Sequence, residues 1–255
     1  MKAMLLRVGI DKGTDGFLGP IFIDGTFTFV PISKDTRRYP PNKNDKRYID
    51  LFSDEDGNLP KFLPPKMANK YAHNDPEFVT YTYGDDTRKR DYFHKLSGDD
   101  GMEPGDFLVF YAGLTPYEVL DQKEGLYIVG YFEVEEVVDF RKNIPECELR
   151  KYEEAFKNNP HVPIRNERPI IVKGKEGKGG FLHKAILISE DGLDKNDKRL
   201  LIASKEMVSW LEPLGPKRSL QRSIPPRFVR SEYVGQFMDR LRNGRPLSLD
   251  PDAGS

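Results

Sequence analysis

The chain has 255 residues, 37% hydrophobic and 32% charged, with a mean hydropathy of −0.63. That is enough for one large domain or two small ones, with a buried core under a well-solvated surface. No apolar run approaches the roughly 20 residues of a membrane span, so no membrane partner is expected. The single cysteine, Cys147, excludes a disulfide framework and a cysteine-rich zinc site, and the expected location is the cytoplasm.

The opening "MKAMLLRVGI" reads as a first strand rather than a signal peptide, being short, interrupted by Arg7 and without a small-residue cleavage site. "LGPIFIDGTFTFVPIS" follows, and its Asp24 and Gly25 between two apolar runs predict a hairpin. Residues 34–101 are rich in Pro, Asp, Asn, Lys and Tyr, with prolines at 40, 41, 60, 64, 65 and 76. They read as a loop-rich insertion with short elements.

"GDFLVFYAG" and "GLYIVGYFEVEEVVDF" predict an antiparallel strand pair, joined by a polar lid, "LTPYEVLDQKEG". "IPECELRKYEEAFKNNP" predicts a helix, with Leu149, Tyr152 and Phe156 on one face and Glu146 four residues before Arg150. "RPIIVKG" and "KAILIS" predict two strands joined by a glycine-rich hairpin loop, "KGKEGKGGFLH". "SKEMVSWLEP" predicts a short helix capped by Ser204. Residues 231–242 predict an amphipathic helix that turns Tyr233, Val234, Phe237, Met238 and Leu241 inward, and residues 246–255 read as a flexible tail. The expected class is α+β: one domain over residues 1–245, a partly closed β-barrel flanked by helices.

Most chemical motifs fail on inspection. "GIDKGTDG" lacks the Gly-Lys-Ser/Thr of a phosphate loop, so Asp11 and Lys12 read as an exposed tight turn, with Arg7 and Asp11 able to line a pocket mouth. "SDEDGN" has the start of a calcium loop, but Leu59 and Pro65 stand where that loop needs Gly and Glu. His73, His94, His161 and His183 are scattered singly, with no helical metal pair, so no metal and no cofactor are expected. No nucleophile elbow is present, and Cys147 has no base committed to it.

Charge and aromatics are more suggestive. The net charge is −1, yet residues 213–245 hold eight basic residues (Lys217, Arg218, Arg222, Arg227, Arg230, Arg240, Arg242, Arg245) against two acids. Residues 34–47 hold six basic residues against two acids, and "TRKR" adds Arg88, Lys89 and Arg90. Lys175 and Lys178, in the glycine-rich segment, could clamp phosphates beside them. Along "GDFLVFYAG", Phe107, Val109 and Tyr111 share one face. Ala112 and Gly113 then remove bulk beside Tyr111, which would let a flat ligand stack there, with Tyr117 in the lid and Trp210 as further aromatics.

"EPGDFLVFYAGL" with "LYIVGYFEVEEV" resembles the PUA-like superfamily, which includes the ASCH, EVE and YTH domains. "LLRVGIDKGTDGFLGPIFIDGTFTFVPI", "NNPHVPIR" and "GFLHKAILIS" resemble the nucleotide-modification-associated domain of the third type, over about residues 1–240. The resemblance implies a PUA-like barrel that binds nucleic acid, DNA in preference to RNA, and holds a modified base in a pocket at the barrel mouth. That pocket would be Tyr111, Ala112, Gly113, Tyr117 and Trp210. Arg88, Lys89, Arg90, Lys175, Lys178, Lys217, Arg218, Arg222 and Arg227 would hold phosphates. DNA-modification or restriction proteins are the implied partners. A second reading is an enzyme acting on a nucleotide or modified base, with Arg7, Asp11, Lys12 and His161 converging on the same pocket.

Overall fold

A run such as Phe107 to Phe110, apolar at every position, can be satisfied only where both faces of a strand are covered. The computed structural model puts it there. The structure describes residues 1–13, 15–37, 40–41, 44–85, 95–118, 123–161, 169–193, 196–214, 218–221, 225–245 and 247. In chain order the elements are β1 (Ala3–Arg7), β2 (Gly19–Ile21), β3 (Ile32–Ser33), α1 (Tyr48–Phe52), β4 (Ala72–His73), β5 (Thr82–Asp85), β6 (Phe107–Pro116) and β7 (Gly125–Asp139). They continue with α2 (Glu146–Ala155), β8 (Ile170–Leu187), β9 (Ser189–Leu193), β10 (Arg199–Ala203), α3 (Lys205–Trp210), β11 (Arg227–Phe228) and α4 (Val234–Arg242).

The fold is α+β. Its main sheet runs β11-β1-β6-β7-β8-β5, with β2 also on β6, and it curls into a half-barrel. β1 and β2 pair with β6 in parallel, while the other ladders of the sheet are antiparallel. One face of the sheet, with Leu5, Val109, Tyr111 and Ile128, packs on Trp210 of α3 and on Val234, Phe237, Met238 and Leu241 of α4. The other face buries Leu108, Phe110, Val129 and Phe132 with Tyr83, Leu96 and Val172. Residues 34–101 add a smaller cluster, in which Tyr48, Leu63, Met67 and Ala72 pack on Ile10 and Val30.

The helices match their expectations. Ser204 caps α3 by accepting the Met207 N–H at 3.1 Å, and Tyr152 of α2 stacks on Phe156. The Asp24–Gly25 turn also forms: the Phe22 N–H donates to the Thr26 carbonyl at 2.8 Å, and Asp24 accepts the Thr26 N–H. Its arms pair at an Ile21–Phe27 bridge, while the other edge of β2 lies on β6.

One expectation is overturned. The glycine-rich segment is not a hairpin loop; it lies inside β8, a single strand of 18 residues on β7. Register shifts between Ile128 and Gly130, and between Phe132 and Val134, take up the surplus as bulges. Glycine and lysine there signal interrupted pairing, and a sequence pattern cannot distinguish that from a turn.

Two buried carboxylates tie loops to this frame. Asp15 accepts from the Ser33 hydroxyl at 2.7 Å and from the Lys70 ammonium at 3.0 Å. Asp139 accepts from Arg141 at 2.6 and 2.8 Å and from Ser97 at 3.0 Å. Burial works against the ionised form of both, but these bonds outweigh it, so both carboxyls sit below the ordinary 3.8. A depressed folded value means the stabilisation is complete above the unfolded value and lost as pH falls through the folded one. The thermal midpoint should therefore fall as pH is lowered through and below the ordinary carboxyl value of 3.8. Asp15→Asn and Asp139→Asn should each cost about 1–3 kcal/mol at neutral pH and flatten that acid limb in calorimetry.

Candidate functional site

β1 and β2 use the same edge of β6 in succession. β1 pairs as far as Arg7 opposite Tyr111, and β2 resumes opposite Leu114. The segment between them leaves the sheet just where β6 carries Ala112 and Gly113. At Gly113 a Cβ atom would lie 2.9 Å from Leu18 Cδ2 and 3.4 Å from Arg7 Nη2, so the missing side chain makes room for Leu18 beside the guanidinium.

A cavity of about 460 Å³ opens here. Three cations line it, Arg7, Lys12 and Arg199, with two carboxylates, Asp11 and Glu124, over a floor of Gly113, Leu18, Leu200 and Leu201. Lys12 pairs with Glu124 at 2.5 Å. Arg199 pairs with Asp191 at 2.7 Å, and its Nη2 reaches the Glu124 carbonyl at 3.5 Å. Arg7 is half-buried and its Nε fully enclosed. The cleft thus lies at the carboxyl end of β1, beside the stretch of β6 that carries Gly113 and before β2 begins. Its cations suit an anionic group.

The predicted site residues divide. Arg7, Asp11 and Lys12 come together, but His161 does not join them. Of the proposed base pocket, Gly113 alone lines the cleft. Tyr111 is 4% exposed and its hydroxyl donates to the Leu220 carbonyl at 2.9 Å, so its ring is core. Trp210 is fully buried, with Nε1 donating to the Leu247 carbonyl at 2.6 Å. Ala112 packs on the opposite face of the sheet, and Tyr117 sits edge-on to Phe22 and Phe62 beyond the end of β6.

Arg88, Lys89, Arg90, Lys217 and Arg222 lie outside the described residues. Lys175 and Lys178 are exposed on the first β8 bulge, Lys175 lying 3.8 Å from Glu133. Arg218 is 2.8 Å from Glu190. Arg227, on β11, has a buried Nε with no hydrogen-bond partner among the described residues. Lys34, counted with the basic surface, is instead buried in an ion pair with Asp45 at 2.5 Å. Arg199, which sequence reasoning did not single out, is brought to the cleft by the β9–β10 hairpin.

A second cluster forms at the other end of the molecule's chemistry. His73 of β4 and His161, 88 positions apart, face each other with their Nε2 atoms 3.0 Å apart, and Asp75 Oδ2 lies 3.7 Å from His161 Nε2. Burial pushes the Asp75 carboxyl up, against the opposing pull of His161, Gly84 and Asn159. These three side chains could hold a metal ion.

Fold and site together define an α+β protein whose curled sheet carries a cation-lined cleft between the end of β1 and the start of β2. The chain belongs to the nucleotide modification associated domain 3 family, whose model matches residues 2–230. No curated protein and no solved structure matches it. Membership associates the chain with nucleotide modification. Among the described residues no helix is long and apolar enough to cross a membrane.

Proposed function

We propose that the chain is a nucleic-acid-binding module that recognises DNA carrying a modified base, with the cleft at Gly113 receiving the base or its nucleotide. The observation that carries this reading is the convergence of Arg7, Lys12 and Arg199 on a cavity floored by a glycine. Its volume of about 460 Å³ falls within the range of small-molecule sites. Arginines there would hold phosphate by paired N–H donors, and the leucine floor would take the flat face of a base. The PUA-like likeness of "GDFLVFYAG", the strand that contributes Gly113, supports a base-holding role. In this reading the pocket is built beside Tyr111 and not on its ring. Modification or restriction proteins are the natural partners.

The test is a titration of modified and unmodified duplexes, with an RNA control, at two salt concentrations. Three phosphate contacts would weaken binding about forty-fold between about 50 and about 200 mM salt, at a slope of about 0.9 per contact. Arg199→Ala should lower both the affinity and that slope, by about one contact. No binding at low salt would refute the reading, and affinity indifferent to Arg199→Ala and Lys12→Ala would remove the cleft from it.

A further inference from the structure

We propose that His73, Asp75 and His161 form a binding site for a first-row divalent transition ion, separate from the cleft and sharing no lining residue with it. Two segments remote in sequence, residues 73–75 and the stretch at His161, bring two imidazole nitrogens and one carboxylate oxygen together, with every ligand atom within 4.8 Å of the others. Ligands about 2.0–2.2 Å from a common ion stand about 3–4 Å apart. The observed 3.0 Å between the two Nε2 atoms and 3.7 Å from His161 Nε2 to Asp75 Oδ2 meet that spacing.

The surroundings are built to aim these groups. Asp75 Oδ1 accepts the Gly84 N–H at 3.0 Å and the Asn159 side-chain amide at 3.2 Å, which turns Oδ2 toward the histidines. Asn159, fully buried, also donates to the Thr82 hydroxyl and accepts the His161 N–H at 3.0 Å. One amide therefore orients two of the three ligands, as residues behind the ligands do at metal centres. The imidazole rings stand at 88° to each other, so their nitrogen lone pairs can converge on one point without the rings stacking. A carboxylate with 6% of its side chain exposed is costly to keep ionised, and a bound cation offsets that cost.

The ligand set selects among ions. Two imidazoles with one carboxylate suit zinc or ferrous iron over magnesium or calcium, which take oxygen ligands. Three protein ligands leave at least one coordination position for water or substrate, unlike a closed four-ligand structural site. Half-buried His73 marks the accessible side. A cavity of about 220 Å³ is lined by the residues flanking the ligands, Ala72, Asn74 and Pro160 among them.

The probe is Co²⁺, followed by its visible absorption, and then Zn²⁺, followed by metal content and thermal midpoint, on chelator-treated full-length protein. The wild type should take up about one ion per chain, with a rise in midpoint. His73→Gln and Asp75→Asn should each lower affinity about tenfold or more and abolish that rise. Asp75→Asn retains the acceptor for Gly84 and Asn159, so it isolates the ligand charge, and far-UV circular dichroism verifies its fold. His183→Gln, on an exposed histidine outside the cluster, should bind as the wild type. Failure of the wild type to bind either ion at micromolar concentration would overturn the proposal. So would undiminished binding by both cluster variants, since the two histidines would then be a hydrogen-bonded pair only.

Discussion

Trp210→Ala should lower the stability of the chain by about 3–5 kcal/mol, the range for emptying a fully buried aromatic site. The ring has no exposed surface and meets Phe237 and Tyr233 edge-on, at centroid distances of 5.6 and 5.8 Å. It also joins three elements that cannot order themselves alone. α3 has only six residues, far below the length at which an isolated helix persists. Arg240 of α4 lies over the indole at 5.8 Å, and the indole N–H satisfies the Leu247 carbonyl. Trp210→Phe keeps most of the volume but strands that carbonyl, so about 1–3 kcal/mol should separate it from the wild type. Urea denaturation followed by far-UV circular dichroism measures both, because the variants lack the chain's one tryptophan as a reporter. A loss below about 1 kcal/mol for the alanine variant would contradict the core assignment.

Gly84→Ala should cost about 1–3 kcal/mol although it adds a single methyl group. The new Cβ would stand 2.5 Å from His161 Cδ2, 2.8 Å from Asn159 Oδ1 and 2.9 Å from Ile171 Cδ1. The isoleucine tip can turn away. The histidine and asparagine are held by the network around Asp75, so relief there must break hydrogen bonds. Gly235→Ala is the matched control. That glycine is the second residue of α4, and within 4 Å its Cβ would meet only Met1 Cε at 3.9 Å. Removing a glycine from the first turn of the helix should stabilise by up to about 0.5–1 kcal/mol. Denaturation midpoints moving in opposite directions would confirm that local space, and not glycine as such, decides the sign. Equal shifts would refute it.

Local signals in the chain were legible and remote ones were not. Ser204 and the apolar spacing of α4 lie within a few positions of what they control, so cap and buried face could be read directly. The β6–β7 pair was equally readable, because its two strands are consecutive. Alternation also put Tyr111 and Gly113 on one face. It could not say that Leu220, 109 positions on, would close over the tyrosine and leave the glycine open. The cleft depends on β1 lying parallel to β6 across about a hundred residues, a pairing with no local signature. The histidine cluster is the extreme case: His73 and His161 carry no motif until β4 and the turn after α2 are brought together beside Gly84 of β5.

The succession of β1 and β2 along one edge of β6 has a consequence for how this fold can change. Both ends of the intervening segment are clamped to the same strand, so its length is independent of the sheet's register. Doubling such a segment adds only about 0.6 kcal/mol of closure entropy. A family built on this frame can resize the rim of its cleft, and with it the ligand admitted, by insertion at one point while the β-sheet beneath keeps every pairing.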